Sequence, residues 1–254
     1  MVKIGPVRFD RLEILKRSGP MRALNYTYEL VRCRKVLRLP VRDVGPILSR
    51  YHDWSGSVKS GLSPVELGLP WMVYQSLDFL KDFCRPGDRV FEYSSGGSTI
   101  FFAGLGLRGV SIEHDADWAK RVESELERSL PDADWQILVI PPNPASSDVE
   151  RRFRSSSDFY RDFSFVDYVT ALAAYPKNHF ALIAVDGRAR NACIEMACNH
   201  VAPGGVLLID NSDRQEYWAQ IDRLKENGWQ SREFTGPLPA SAAFCRTTIL
   251  RRPL

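Results

Sequence analysis

From Arg89 onward the chain alternates short apolar runs with amphipathic segments, and near its end it breaks that rhythm once. Strands are expected at Arg89–Glu92, Gly109–Glu113, Trp135–Ile140, Phe180–Val185 and Val206–Ile209. Between and after them, helical spacing runs over Ser98–Leu107, Asp117–Leu130, Phe159–Tyr175, Asn191–Val201 and Gln215–Asn227. Strands separated by helices form a mostly parallel sheet covered on both faces, and runs rich in Val, Ile and Phe suit strands buried on both sides. The closing pair, Trp229–Phe234 and Ala242–Leu250, is joined by a short turn containing Gly236, Pro237 and Pro239. That turn is too short for a helical crossover, so the pair must run antiparallel. The expected fold is therefore α/β: a Rossmann-like, doubly wound, seven-stranded sheet, mostly parallel, with an antiparallel C-terminal strand.

The first 60 residues read differently. They hold 13 Lys and Arg against 5 Asp and Glu, although the net charge of the whole chain is only +3. Met21 to Leu39 carries Leu24, Tyr28, Val31, Val36 and Leu39 at near-helical spacing among basic residues, and Pro40 ends it. The expected organisation is a basic helical extension over 1–60 and a main domain over 61–254. Such an arm can serve as a solvated face, a subunit contact or a peripheral contact with an anionic membrane. No apolar stretch is long enough to span a bilayer, and the N-terminal residues lack the apolar core of a secretory signal. Five scattered cysteines without a Cys-x-x-Cys pair argue against a disulfide framework or a zinc site and for a reducing compartment. Cytoplasmic residence is expected.

Ligands of open α/β sheets bind at the carboxyl ends of the strands. The first strand ends in Glu92-Tyr93-Ser94-Ser95-Gly96-Gly97-Ser98-Thr99, leading directly into a helix. Small residues let backbone approach a ligand closely, and a helix N-terminus offers N–H donors. A carboxylate at Glu92 repels a pyrophosphate and attracts a cation. The second strand ends at Glu113, 21 residues after Glu92, followed by His114 and Asp115. An acidic side chain there can accept both hydroxyls of a ribose.

The runs VFEYSSGGSTIFFA and GVSIEHDADWAKRV resemble those of class I S-adenosylmethionine-dependent methyltransferases. The resemblance spans about Trp71 to Leu250 and is most specific from Arg89 to Val122. It implies that Ser94, Gly96 and Gly97, with Ser98 and Thr99, wrap the methionine part of S-adenosylmethionine. It also implies that Glu92 lies near the cofactor's amino group, Glu113 clamps the ribose and His114 lies beside the adenosine. Ser94 departs from the family, which usually has glycine there. If that position needs a positive φ, serine costs roughly 1 kcal/mol.

Two further strands end in Asp186 and in Asp210-Asn211. Three oxygen-bearing side chains at adjacent strand ends suit Mg²⁺ or another hard divalent cation. The arrangement resembles metal-dependent O-methyltransferases of the catechol, macrocin and glucuronoxylan types. That resemblance implies Asp186, Asp210 and Asn211 as metal ligands, with Asp186 and Asp210 catalytic and Asp186 also beside the cofactor. A metal-held hydroxyl has a lowered pKa and can attack the sulfonium methyl in line. The alternative is that Asp186 orients cofactor or substrate while Asp210-Asn211 caps the next helix. The resulting expectation is a methyltransferase acting on a hydroxylated small molecule or saccharide. The alternatives are a metal-independent N- or O-methyltransferase and a docking module with a decayed cofactor loop. No surface for reading nucleic acid is recognisable.

Overall fold

A computed structural model describes residues 6–146 and 148–254. Seven strands form one sheet: β1 (Arg89–Tyr93), β2 (Arg108–Glu113), β3 (Trp135–Val139), β4 (Phe180–Val185), β5 (Val201–Ile209), β6 (Gln230–Gly236) and β7 (Cys245–Arg251). Their spatial order is β3-β2-β1-β4-β5-β7-β6. The first five run parallel, and β7 is antiparallel to both β5 and β6. The doubly wound sheet and its antiparallel ending are as the alternation implies.

Period-two burial explains why the sheet needs two covers. On β4, Leu182 and Ala184 face one core while Ile183 and Val185 face the other; on β5, Val206 and Leu208 oppose Leu207 and Ile209 in the same way. One core is completed by α7 (Val166–Thr170), α8 (Arg190–Ala197) and α9 (Trp218–Glu226), through residues such as Tyr168, Cys193 and Ile221. The other is completed by α1 (Pro6–Arg17), α2 (Gly19–Val36), α3 (Tyr51–Ser60) and α4 (Tyr74–Phe83), through Leu15, Tyr26, Trp54, Leu77 and Leu80. Thus the basic N-terminal helices share a core with the sheet. They also hold its far end: Trp54 Nε1 donates to the Ser241 carbonyl at 2.7 Å, and Asn25 Nδ2 donates to Ala242 at 2.9 Å. The remaining labelled helices, α5 (Gly97–Gly104) and α6 (Ala116–Ser129), pack together near the β3 edge through Ile100, Val122 and Leu126.

Two elements differ from expectation. The helix expected over Phe159–Tyr175 is cut down to α7, with single 3-10 turns at Asp158–Tyr160 and Ala171–Ala174. Its first residues form an aromatic cover instead. Phe163-Ser164 pairs antiparallel with Asn143-Pro144, and Tyr160 packs against Phe165 with ring centroids 5.7 Å apart. Strand β5 begins five residues earlier than its apolar core, at Val201.

Candidate active site

The carboxyl ends of β2, β1, β4 and β5 lie side by side, so Glu113, Glu92, Asp186 and Asp210 are brought to one edge of the sheet. Glu92 is fully buried. One carboxylate oxygen accepts from Thr99 Oγ1 and Ser111 Oγ, both at 2.7 Å. The chain of donors extends outward, since Gly96 N–H donates to Thr99 Oγ1 and Trp135 Nε1 donates to Ser111 Oγ. The other oxygen, Oε1, is buried with no donor among the described residues. Burial raises the Glu92 pKa to about 7, against the hydrogen bonds from Ser111 and Thr99. A buried acceptor without a donor is costly, and it suits a cationic or N–H-bearing ligand.

The loop from Ser94 to Thr99 is shaped by two special positions. Ser94 has φ = 101°, the left-handed geometry that its departure from glycine made critical. At Gly97 a Cβ would stand 2.2 Å from the Leu69 carbonyl oxygen and 2.6 Å from that of Pro64. Only glycine lets the start of α5 press against the 64–69 segment.

Glu113, 1% exposed, faces this loop. Its Oε2 accepts from Ser95 N–H at 2.9 Å and from the hydroxyls of Ser95 and Ser94 at 3.1 and 3.3 Å. Its Oε1 accepts from the backbone N–H groups of His114 and Asp115. His114 Nδ1 lies 2.6 Å from the same oxygen without the alignment of a hydrogen bond. Burial alone would raise the Glu113 pKa, but the His114 ring and these backbone donors outweigh it, and the carboxyl is held below its ordinary value. The two serine hydroxyls sit on one oxygen as a vicinal diol would. Both bonds are long and easily exchanged.

His114 is covered from outside. Its Nε2 lies 3.1 Å from the Tyr160 hydroxyl and accepts from Arg188 Nε at 3.3 Å, while the Arg188 guanidinium lies 4.9 Å from the centre of the Tyr160 ring. Trp118 Nε1 donates to the Ser95 carbonyl at 2.8 Å and pins the loop from the α6 side.

The residues expected to hold a metal are brought together, but they do not fit one. Arg190 lies among them. Its Nη2 donates to Asp186 Oδ1 at 2.7 Å and to the Asp186 carbonyl at 2.9 Å. Its Nη1 donates to the Asp210 carbonyl at 2.8 Å and to Asn211 Oδ1 at 3.2 Å, and its Nε donates to the Gly187 carbonyl at 3.0 Å. Asp210 is turned inward: Oδ1 accepts from Thr247 Oγ1 at 2.6 Å and Oδ2 from Asn211 Nδ2 at 2.7 Å. Burial and the Asp186 carboxylate push its pKa up to about 8, against Arg190. Among the described residues no set of three or more His, Cys, Asp or Glu side chains is spaced to hold an ion. In this structure the expected ligands Asp186 and Asn211 hold the Arg190 guanidinium, and Asp210 is turned inward onto Thr247. Only Asp186 of the two aspartates keeps a partly exposed side chain, at 26%.

Sequence reasoning missed Arg190 in this role, and the Tyr160 contact to His114. The signal for the first was present, since Asp186 and Arg190 stand four residues apart, a separation at which opposite charges meet.

Neither a comparison with known protein families nor one with curated proteins finds a match. Among solved structures the chain is similar to a methyltransferase-like protein from Silicibacter pomeroyi, at 20% identity and a TM-score of 0.46, over 72% of this chain and 89% of that one. It is also similar to a putative rRNA methylase from Clostridium thermocellum, at 13% identity and a TM-score of 0.47, over 70% and 94% of the two chains. An rRNA methylase from Streptococcus thermophilus gives 11% identity and a TM-score of 0.49, over 71% and 96%. Similarity at this level carries no weight for the chemistry, which rests on the residues described above.

Proposed function

We propose that the chain is an S-adenosylmethionine-dependent methyltransferase whose cofactor lies across the carboxyl ends of β1 and β2. One observation carries the reading: two buried carboxylates flank a small-residue loop, one with an oxygen lacking a donor and one holding two exchangeable hydroxyls. Glu92 presents a buried carboxyl oxygen without a donor at the strand end, which suits a ligand bearing an ammonium and opposes a pyrophosphate. Glu113, kept ionised, is the acceptor for a ribose diol. His114 and Tyr160 give the adenosine end an aromatic wall. When bound, the cofactor supplies an electrophilic methyl group on a sulfonium.

On the other side of β1, Asp186 is the side chain that can meet the acceptor. Its carboxylate is held by Arg190 and partly exposed, so it can accept a hydrogen bond from an acceptor hydroxyl and orient it. Methyl transfer needs mainly alignment and exclusion of water, and the 158–165 cover together with Arg188 serves the second need. The acceptor class stays that of the resemblance, a hydroxylated small molecule or saccharide. Arg190 favours the metal-independent form of the reaction, because it already occupies oxygens of Asp186 and Asn211 that an ion would require.

Ultraviolet crosslinking with methyl-labelled S-adenosylmethionine, followed by peptide mapping, tests the assignment. Label is expected in the peptide containing residues 89–122. Label confined to other peptides, or none, would contradict it.

A further inference from the structure

The clamp that excludes a metal leaves a second consequence in the charges around Asp186. Three arginines surround this carboxylate: Arg188 and Arg190 follow it in sequence, and Arg214 reaches Asn211 Oδ1, which Arg190 also contacts. Arg190 is spent, because each of its contacts is to an oxygen of the strand ends. Arg188 and Arg214 are not. Among the described residues neither has a carboxylate within ion-pair distance. Arg188 spends only Nε, on His114, and stacks over Tyr160, so its terminal N–H groups remain available. Arg214 is exposed, and its contacts to Asn211 and Tyr217 are long, at 3.4 and 3.5 Å. The nearby acids are already committed: Asp186 to Arg190, Asp210 to Thr247 and Asn211, and Asp213 to the Arg246 N–H.

We propose that the acceptor half of the site is a metal-free oxyanion-binding surface. Arg190 is built into the fold where a divalent cation would stand, and Arg188 and Arg214 grip a carboxylate or phosphate carried by the acceptor. Guanidinium forks bind both oxyanions in the same way, with paired N–H donors. This deepens the methyl-transfer reading by giving its acceptor a negative charge, but the anion site itself requires no cofactor. The two can therefore fail separately.

The test uses the full chain and two probes, inorganic phosphate and malonate, each followed by calorimetry. Saturable 1:1 binding of at least one is expected. The Arg188→Ala/Arg214→Ala double variant should weaken it by about tenfold or more. A charge-matched control, Lys35→Ala/Arg38→Ala on the N-terminal segment, should not. Phosphate alone saturating assigns a phosphoryl acceptor, and malonate alone a carboxylate. Should the double variant misfold, Arg214→Ala carries the comparison, because that side chain is exposed. Equal weakening in the control, or no saturable binding of either anion, overturns the proposal. A Mn²⁺ titration followed by electron paramagnetic resonance tests the other half. The free-ion signal should persist in the presence of the wild-type chain, and a loss of signal that Asp186→Asn restores would overturn the resident-cation assignment.

Discussion

Ser94 takes φ = 101° without being glycine, and it stands where the chain leaves β1 for the loop facing Glu113. An L-residue in left-handed backbone costs about 1 kcal/mol or more, and sites that hold a ligand are where such strain collects. Ser94→Gly should therefore stabilise the chain by about 1 kcal/mol, which corresponds to a rise of about 2–4 °C in Tm for a chain of this size. Scanning calorimetry checks this, and a fall in Tm would mean that the Ser94 hydroxyl matters more than the backbone relief. Glu92 makes a second prediction at this scale. Its pKa rises from 4.5 to about 7 on burial, so the folded chain keeps a proton over a window in which the unfolded chain has lost it. Its contribution to stability therefore falls as pH rises between those values and levels off above the upper one. Urea midpoints of wild type and Glu92→Gln should converge or cross as pH is raised from about 5 to about 8, with the wild type losing ground. Parallel pH profiles would show that Glu92 titrates normally.

At the scale of elements, the start of α5 is fixed by contact with the 64–69 segment, through the only side chain small enough at position 97. Gly97→Ala should cost about 1–3 kcal/mol by overpacking, and because it displaces the loop it should weaken cofactor binding further than its stability loss explains. Chemical denaturation and ligand titration on the same variant separate the two effects. The strands, the helices between them and the antiparallel ending were legible because burial on a sheet repeats every two residues and a short turn forbids a crossover. Glu92 and Glu113 were legible for the same reason, as each ends a strand at the edge where ligands bind. The 159–175 segment was not, since its aromatic residues satisfy helical spacing equally well, whereas Tyr160 packs on His114 and on Phe165 outside any α-helix. Nor was the fate of Asp210 legible. Its inward turn depends on Thr247 of β7, which lies 37 residues further along the chain.

For the whole molecule, the N-terminal helices are structural partners of the sheet. Trp54 is fully buried in the core that these helices share with the sheet, and its indole donates to Ser241. Trp54→Ala should cost about 3–5 kcal/mol, more than most surface changes in the arm, and denaturant unfolding should remain a single transition if arm and sheet share one core. Two separate transitions would mean that the arm folds by itself. No helix of the described residues is long and apolar enough to cross a membrane. The proposed function requires that the edge formed by Glu92, the Ser94–Thr99 loop and Glu113 bind S-adenosylmethionine. Calorimetric titration with S-adenosylhomocysteine, with and without Mg²⁺, tests it most directly. Binding at about micromolar strength, or about −8 kcal/mol, is expected, indifferent to Mg²⁺ and lost in Glu113→Ala. A well-folded chain that binds no S-adenosylhomocysteine in either condition, or a Glu113→Ala variant that binds it as tightly as wild type, would contradict it.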